Sequence, residues 1–130
     1  MKPLSLLLVC GLAIGCGSGP SSSDVELSTN VVIQLDVFSG RPNPAWVPTE
    51  SEADQLADRL SGLPPAEGAS LPMFVLGYRG FVVRAAGGKE IRVWRGYVAI
   101  GSRLYHDAGG AEHFLIQSAT VRGYGALIDR

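Results

Sequence analysis

A proline-rich loop carries the residues best suited to recognise a ligand. Within segment 38–46, Arg41 offers a planar guanidinium fork, Asn43 an amide and Trp46 an aromatic face. Because prolines restrict φ in and after this segment, we expect the loop to hold these groups at fixed angles. A guanidinium beside an aromatic ring suits an anionic or sugar ligand. In the alternative interpretation, Trp46 packs over the following helix as part of the core, and Arg41 pairs with Asp36 or with a backbone carbonyl.

A second short segment, 76–81, places Tyr78 and Arg79 between two glycines. These side chains can line the same site as the loop. The alternative is an ordinary entry into a strand, with an arginine whose stem is packed and whose head reaches water. The predicted ligand-binding set is therefore Arg41, Asn43, Trp46, Tyr78 and Arg79.

These two segments also carry a resemblance. The residues FSGRPNP-x-W at 38–46 and LGYRGF at 76–81 resemble those of a group of small uncharacterised bacterial proteins. The likeness covers most of residues 31–120. It implies a domain with these boundaries, and it implies no activity.

Two histidines offer the alternative of catalysis. His106 is expected in a glycine-rich loop and His113 on a helix, so a metal site with Glu112 requires the loop to fold back. Adjacent helical residues such as Glu112 and His113 point about 100° apart, which opposes such a site. No nucleophile elbow accompanies them. The residues favour a non-catalytic domain without cofactor or metal. A small hydrolase or metal-dependent envelope enzyme using His106 and His113, and a purely structural or assembly role, remain as alternatives.

The amino-terminal residues predict export. Lys2 precedes an apolar run at 4–14 that is shorter than the roughly 20 residues needed to span a bilayer, as in a signal peptide. Residues 13–16 resemble the bacterial lipobox, although Ala13 stands where that motif usually has leucine. The small residues Ala13 and Gly15 suit either bacterial signal peptidase, so cleavage before Cys16 is expected in both cases. The resemblance implies acylation of the Cys16 thiol, which would make this a lipoprotein anchored to a membrane.

Charge and cysteine content narrow the partners and the location. Removing residues 1–15 discards Lys2 and Cys10, leaving a net charge of −2 and Cys16 as the single cysteine. This balance lacks the basic signature of nucleic-acid binding, and a single cysteine forms no internal disulfide. The expected partners are the membrane and an envelope protein or a sugar or anionic ligand. Gly17 stands where inner-membrane lipoproteins of enteric-type bacteria often have aspartate, which favours the outer membrane over the inner. The alternative is a soluble secreted or periplasmic protein.

A small α+β domain must position these groups. We divide the chain into a signal peptide at 1–15, an anchor cysteine with a flexible Gly/Ser/Pro tether at 16–29, and a single domain at 30–130. Alternation in 31–38 predicts a strand with one buried face. Further strands are predicted at 73–76, 80–85 and 89–100, with a hairpin turn at Gly87–Gly88, and helices at 50–61 and 111–119.

The expected fold is approximately β-α-β-β-α, with one antiparallel or mixed sheet and helices packed on one face. Its strand order is not readable from the sequence. In the segment 89–100, Ile91, Val93 and Tyr97 are expected to face the core. Arg92 and Trp94 are expected to face outward, and Gly96 to mark a possible bulge.

Overall fold

A computed structural model describes residues 30–71, 75–85 and 89–128. Within these residues the chain forms an α+β domain with one antiparallel sheet, as predicted. The strands are β1 (Val32–Leu35), β2 (Ala45–Trp46), β3 (Phe81–Arg84), β4 (Glu90–Trp94), β5 (Tyr97–Ile100) and β6 (Arg103–His106). The helices are α1 (Glu50–Leu60), α2 (Ala111–Val121) and α3 (Gly125–Ile128). The predicted signal peptide, the tether, and the predictions for residues 73–74 and 87–88 lie outside the described residues.

The sheet has the strand order β2-β1-β3-β4-β5-β6, with every neighbouring pair antiparallel. Helix α1 connects β2 to β3, and strands β3 to β6 follow one another as a meander. The predicted order β-α-β-β-α is therefore incomplete, because it lacks β2, β6 and the division between β4 and β5. Residues 75–76, predicted as the end of a strand, have no regular secondary structure.

Alternation along the strands directs one sheet face toward the helices. Ile33 and Leu35 are fully buried, and they share one core with Leu56 and Leu60 of α1 and Leu115 of α2. The helices therefore pack on one face, as predicted. Burying an apolar side chain of this size stabilises the fold by about 1.5–3 kcal/mol. This face of the sheet is called the helix face below, and the opposite one the outer face.

Helix α1 begins with the capping box that its sequence predicts. The Glu52 amide donates to Thr49 Oγ1 at 3.1 Å, and the Thr49 amide donates to Glu52 Oε1 at 2.9 Å. Each bond satisfies a backbone donor near the helix start that would otherwise lack a partner. The helix ends at Leu60, one residue before its predicted end.

Glu52 also joins the two long helices. Its Oε1 accepts a hydrogen bond from Arg122 Nη2 at 2.8 Å, and its Oε2 accepts one from Ser118 Oγ at 2.9 Å. The hydrogen bond from Arg122 lowers the pKa of Glu52 to about 2, despite the opposing effect of burial. A carboxyl group with a lowered pKa stabilises the fold above its unfolded pKa of about 4.3, and this contribution disappears as the pH falls toward the folded pKa.

We therefore expect Glu52→Gln to destabilise the domain at pH 7 and much less at pH 2. The neutral amide can still cap the helix, but it loses the charge-assisted bonds to Arg122, at a cost of about 2 kcal/mol at pH 7. Urea unfolding of both proteins at several pH values measures the difference. It should shrink between about pH 4.5 and pH 2. A difference that does not depend on pH would contradict the assignment of this charge.

Residues 89–100 form two strands rather than the single one predicted. Arg95 and Gly96 have φ values of 54° and 81°, which is the pattern of a two-residue type I′ hairpin turn. Ile91 and Val93 face the helices as predicted. The turn places Tyr97 opposite Trp94 on the outer face, so the inward prediction for Tyr97 was wrong. Gly96 lies in this turn and does not form the predicted bulge.

The carboxy-terminal part also differs from expectation at His106. This residue ends strand β6, which pairs with β5, whereas a loop was predicted. The His106 amide donates to the Pro64 carbonyl at 2.8 Å, which adds a bridge on the other side of β6. Helix α2 begins at Ala111 as predicted and extends to Val121. The predicted glycine-broken tail contains the short helix α3. No helix in the described part of the chain is both long enough and apolar enough to cross a membrane.

Candidate functional site

The centre of the candidate site is the carboxylate of Asp36, just beyond β1. Asp36 is 8% exposed, and the alternation of β1 places it on the outer face. Its Oδ1 accepts hydrogen bonds from Arg79 Nη2 at 2.8 Å and Nε at 3.2 Å. Its Oδ2 accepts one from Arg92 Nη1 at 2.9 Å. Two guanidinium groups therefore share one buried carboxylate.

The two arginines keep Asp36 ionised. Burial alone raises the pKa of this carboxyl, but the hydrogen bonds and charges of Arg79 and Arg92 outweigh it and hold the pKa below its usual value. The net charge of the three side chains is positive, because one carboxylate faces two guanidinium groups. An electropositive patch with ordered donors is a starting point for anion recognition.

Asn43 closes the proline-rich loop onto the end of β1. Its Oδ1 accepts hydrogen bonds from the amides of Val37 at 3.0 Å and Phe38 at 2.7 Å. Its Nδ2 donates to Asp36 Oδ1 at 3.3 Å. Asn43 thus uses both ends of its amide to fix the loop next to Asp36, and we assign it a positioning role.

Arg79 joins the second segment to the first. Its Nη1 donates to the Val75 carbonyl at 2.9 Å and its Nη2 donates to the Phe38 carbonyl at 2.8 Å. Its backbone amide donates to the Asp36 carbonyl at 2.7 Å. The two predicted segments therefore meet at one place, with the Arg79 guanidinium as the link between them.

Arg41 adds an exposed cation to the proline-rich loop, on the ring of Phe38. Its guanidinium carbon lies 3.8 Å from the centroid of the Phe38 ring, a cation–π contact that favours one orientation of an otherwise mobile side chain. In the alternative interpretation Arg41 pairs with Asp36, but Asp36 forms its ion pairs with Arg79 and Arg92. We call the following set the arginine cluster: Asp36, Arg41, Asn43, Arg79 and Arg92.

Tyr78 turns away from this cluster toward the helix face. Its hydroxyl donates to Glu112 Oε2 at 2.6 Å, and its ring meets Phe81 edge to face at 6.0 Å. The other oxygen, Glu112 Oε1, accepts from the Gly96 amide at 3.1 Å. Burial, reinforced by Glu112, raises the pKa of Tyr78 above its usual value. These contacts tie α2 to the β4–β5 turn.

Trp46 is also separated from Arg41. It pairs with Ile33 in the sheet and points to the helix face, where it meets Phe81 edge to face at 6.4 Å and stacks on Tyr124 at 5.7 Å. The Arg122 guanidinium lies 5.5 Å from its ring. Its Nε1 is buried and has no hydrogen-bond partner among the described residues. The alternative interpretation, packing beside the helices, describes these contacts.

The histidines lie on different elements. The His106 ring is 5.5 Å from the Tyr97 ring, and His113 is exposed on α2. Both oxygens of Glu112 already accept hydrogen bonds. In residues 30–71, 75–85 and 89–128, no three His, Cys, Asp or Glu side chains are grouped so that they could hold a metal ion.

Sequence reasoning missed Arg92, which is 56 residues from Asp36 along the chain. The available signal was a charged residue between the apolar residues Ile91 and Val93, which placed Arg92 on the outer face without naming its partner. Comparison of this chain with protein-family models, with curated proteins and with solved structures finds no match.

Proposed function

We propose that this chain is an exported bacterial envelope lipoprotein, anchored through Cys16, whose domain binds an anionic group of an envelope polymer or protein. The arginine cluster is the binding site, and no chemical step is assigned to it. The observation that carries the proposal is the Asp36 carboxylate shared by Arg79 and Arg92, together with the exposed Arg41 on the ring of Phe38, whose carbonyl accepts from Arg79. Within the cluster, three guanidinium groups accompany a single carboxylate.

The geometry favours an anion over a stacked sugar. Stacking needs an accessible aromatic face, and the Trp46 ring is already packed against Tyr124 and Phe81. A guanidinium instead binds carboxylate or phosphate through two parallel hydrogen bonds. The side chain of Arg92 is 34% exposed and therefore partly accessible, whereas that of Arg79 is 20% exposed and already donates to Asp36, Val75 and Phe38.

The cluster is also ordered before a ligand arrives. Asp36 holds Arg79 and Arg92, Asn43 holds the loop, and the Phe38 ring lies against Arg41. Immobilising a long side chain on binding costs about 0.5–1.5 kcal/mol, and contacts already made in the free protein reduce this cost. A site ordered in this way suits binding of small anionic groups that belong to a larger partner.

The proposed location is the outer membrane, with a soluble secreted or periplasmic protein as the alternative. The lipobox-like residues before Cys16 and the following Gly17 support it. In this setting the domain meets carboxylate groups of peptidoglycan and phosphate groups of lipopolysaccharide, and both are ligands of the proposed class.

We expect Arg41→Ala to weaken anion binding about tenfold, the loss of one charge-assisted contact worth about 1.4 kcal/mol. The probes are soluble peptidoglycan fragments and the phosphorylated oligosaccharide of lipopolysaccharide freed of acyl chains, each titrated by calorimetry. Affinity should fall as salt is raised, because exposed charges are screened.

Arg103→Ala is the matched control. Arg103 is an exposed arginine at the other end of the sheet, beyond Ile100, and its removal should leave the affinity unchanged. Equal losses of affinity in the two variants would mean that the overall charge of the protein, and not the arginine cluster, causes the effect. No binding of either probe to the unaltered protein would refute the proposed ligand class.

A further inference from the structure

The end of the domain at which β1 begins carries exposed valines next to the exposed Arg84–Glu90 ion pair. Among the described residues, four large apolar side chains are exposed: Val32 at 38%, Val47 at 64%, Leu76 at 87% and Val121 at 79%. Val32 begins β1, close to Asn30, the first described residue. Leu76 lies in the segment that Arg79 holds against Asp36, beyond the other end of β1.

Val47 and Val121 lie at the same end of the domain as Val32. The antiparallel register that pairs Ile33 with Trp46 puts Val32 beside Val47. Val121 directly precedes Arg122, whose guanidinium lies 5.5 Å from the ring of Trp46, the residue before Val47. We call the set Val32, Val47 and Val121 the tether end of the domain. Three of the four exposed apolar side chains are thus gathered at one end.

We propose that the tether end rests on the lipid surface that holds the Cys16 anchor. The inference depends on the lipid anchor of the proposed function. Residues 16–29 join the anchor to the domain, and fourteen residues reach at most about 50 Å even when fully extended. The chain enters the domain next to Val32, so the tether end is the part held nearest to the lipid.

Because the tether is short, weak apolar contacts are sufficient to hold the domain against the lipid surface. A domain attached to a surface meets that surface at a high effective concentration, so the contact does not have to supply independent affinity. Each valine that leaves water for the boundary between headgroups and acyl chains contributes favourably, at about 25 cal/mol per Å² of buried apolar area. Val47 and Val121 are the most exposed members of the set and contribute most.

The docked orientation also has a consequence for the arginine cluster. Strand β1 runs from the tether end at Val32 toward Asp36, so a domain resting on its tether end directs the cluster away from the membrane. Of the ligands proposed above, the cluster then faces peptidoglycan or a protein opposite the lipid surface, whereas the phosphate groups of lipopolysaccharide lie in the headgroup layer below.

A fluorescent label at single positions tests this orientation. Val47→Cys, Val121→Cys and the control Leu76→Cys are each labelled with an environment-sensitive dye in the acylated protein, whose own Cys16 thiol is blocked. The proteins are reconstituted into vesicles of phosphatidylethanolamine and phosphatidylglycerol, with or without bromine on the acyl chains. We expect brominated lipid to quench the labels at 47 and 121 at least about twofold, because an interfacial contact reaches the acyl boundary, and to leave the label at 76 unchanged.

Several outcomes would overturn the inference. Equal quenching at all three positions means that the domain has no preferred side. Labels at 47 and 121 that are shielded from aqueous iodide but not quenched by brominated lipid indicate that a second copy or another protein covers this end. Fractionation of the unaltered protein and of Cys16→Ser separates the two proposals. If the unaltered protein is soluble, the anchor fails and the docking fails with it; if it is membrane-bound with equal quenching, only the docking fails.

Discussion

Replacing Trp46 with alanine is expected to lower the free energy of unfolding by about 3 kcal/mol, a large part of the 5–15 kcal/mol typical of a domain. The indole lies between Phe81 on the helix face and Tyr124 after α2, so its removal opens a space that rigid neighbours cannot fill. The unpartnered Nε1 keeps the cost at the low end of the range for tryptophan, because its burial is relieved when the ring is lost. Urea unfolding measures the change.

Trp46→Phe is the control for this prediction. It keeps an aromatic ring that can lie against Tyr124 and removes the pyrrole part of the indole, including the buried N–H, which makes no hydrogen bond to the described residues. We expect a smaller loss than for alanine, about 1–2 kcal/mol, because the space left behind is smaller. If phenylalanine costs as much as alanine, the indole nitrogen has a partner that this packing account omits. A stable Trp46→Ala protein would argue instead for a ligand-facing role for Trp46.

The second large effect is expected for Asp36→Ala, which should destabilise the domain by about 2–4 kcal/mol. The change leaves the guanidinium groups of Arg79 and Arg92 without their shared carboxylate and removes the acceptor of Asn43. Asp36 has a side chain that is only 12% exposed, so water does not replace these bonds easily. The partial exposure of Arg92 places the estimate below that for a fully buried pair.

The control is Glu90→Ala, which breaks an ion pair with Arg84 on the same sheet. Those side chains are 51% and 47% exposed, and exposed pairs contribute only about 0.2–1 kcal/mol. The pKa of Asp36 is lowered in the fold, so its contribution is present above the unfolded value of about 3.9 and is lost at lower pH. The gap between Asp36→Ala and the unaltered protein should therefore narrow below about pH 4. If the two substitutions lower the free energy of unfolding equally, Asp36 does not hold the arginine cluster together.

Local patterns predicted the elements whose formation depends on neighbouring residues. The Thr49–Glu52 capping box and the apolar spacing after it predicted α1 to within one residue. Alternation predicted the buried face of β1, and Ala111 was correctly predicted to begin α2. Each of these signals lies within one or two turns of helix or a single strand, where side-chain spacing has a direct geometric meaning.

The turn between β4 and β5 was missed for an equally physical reason. A type I′ turn usually carries Asn-Gly or Asp-Gly, whereas this one places Arg95 at a positive φ before Gly96. Arginine is not typical of this turn, so residues 89–100 were predicted as one strand. Tyr97 was therefore predicted on the wrong face of the sheet. Strand β6 was missed because the glycines after Arg103–His106 made the segment resemble a loop.

The amino-acid sequence by itself determined the α+β class, the starts of α1 and α2, the buried face of β1 and three members of the cluster, Arg41, Asn43 and Arg79. The tertiary structure decided which of those residues meet. Asn43, Arg79 and Arg92 gather around Asp36 and Arg41 lies on the Phe38 ring, while Trp46 and Tyr78 pack on the helix face against Phe81. Burial of the Asp36 carboxylate demands counter-charges. Strand order then selects which arginines reach it, and strand order depends on contacts between residues far apart in the chain.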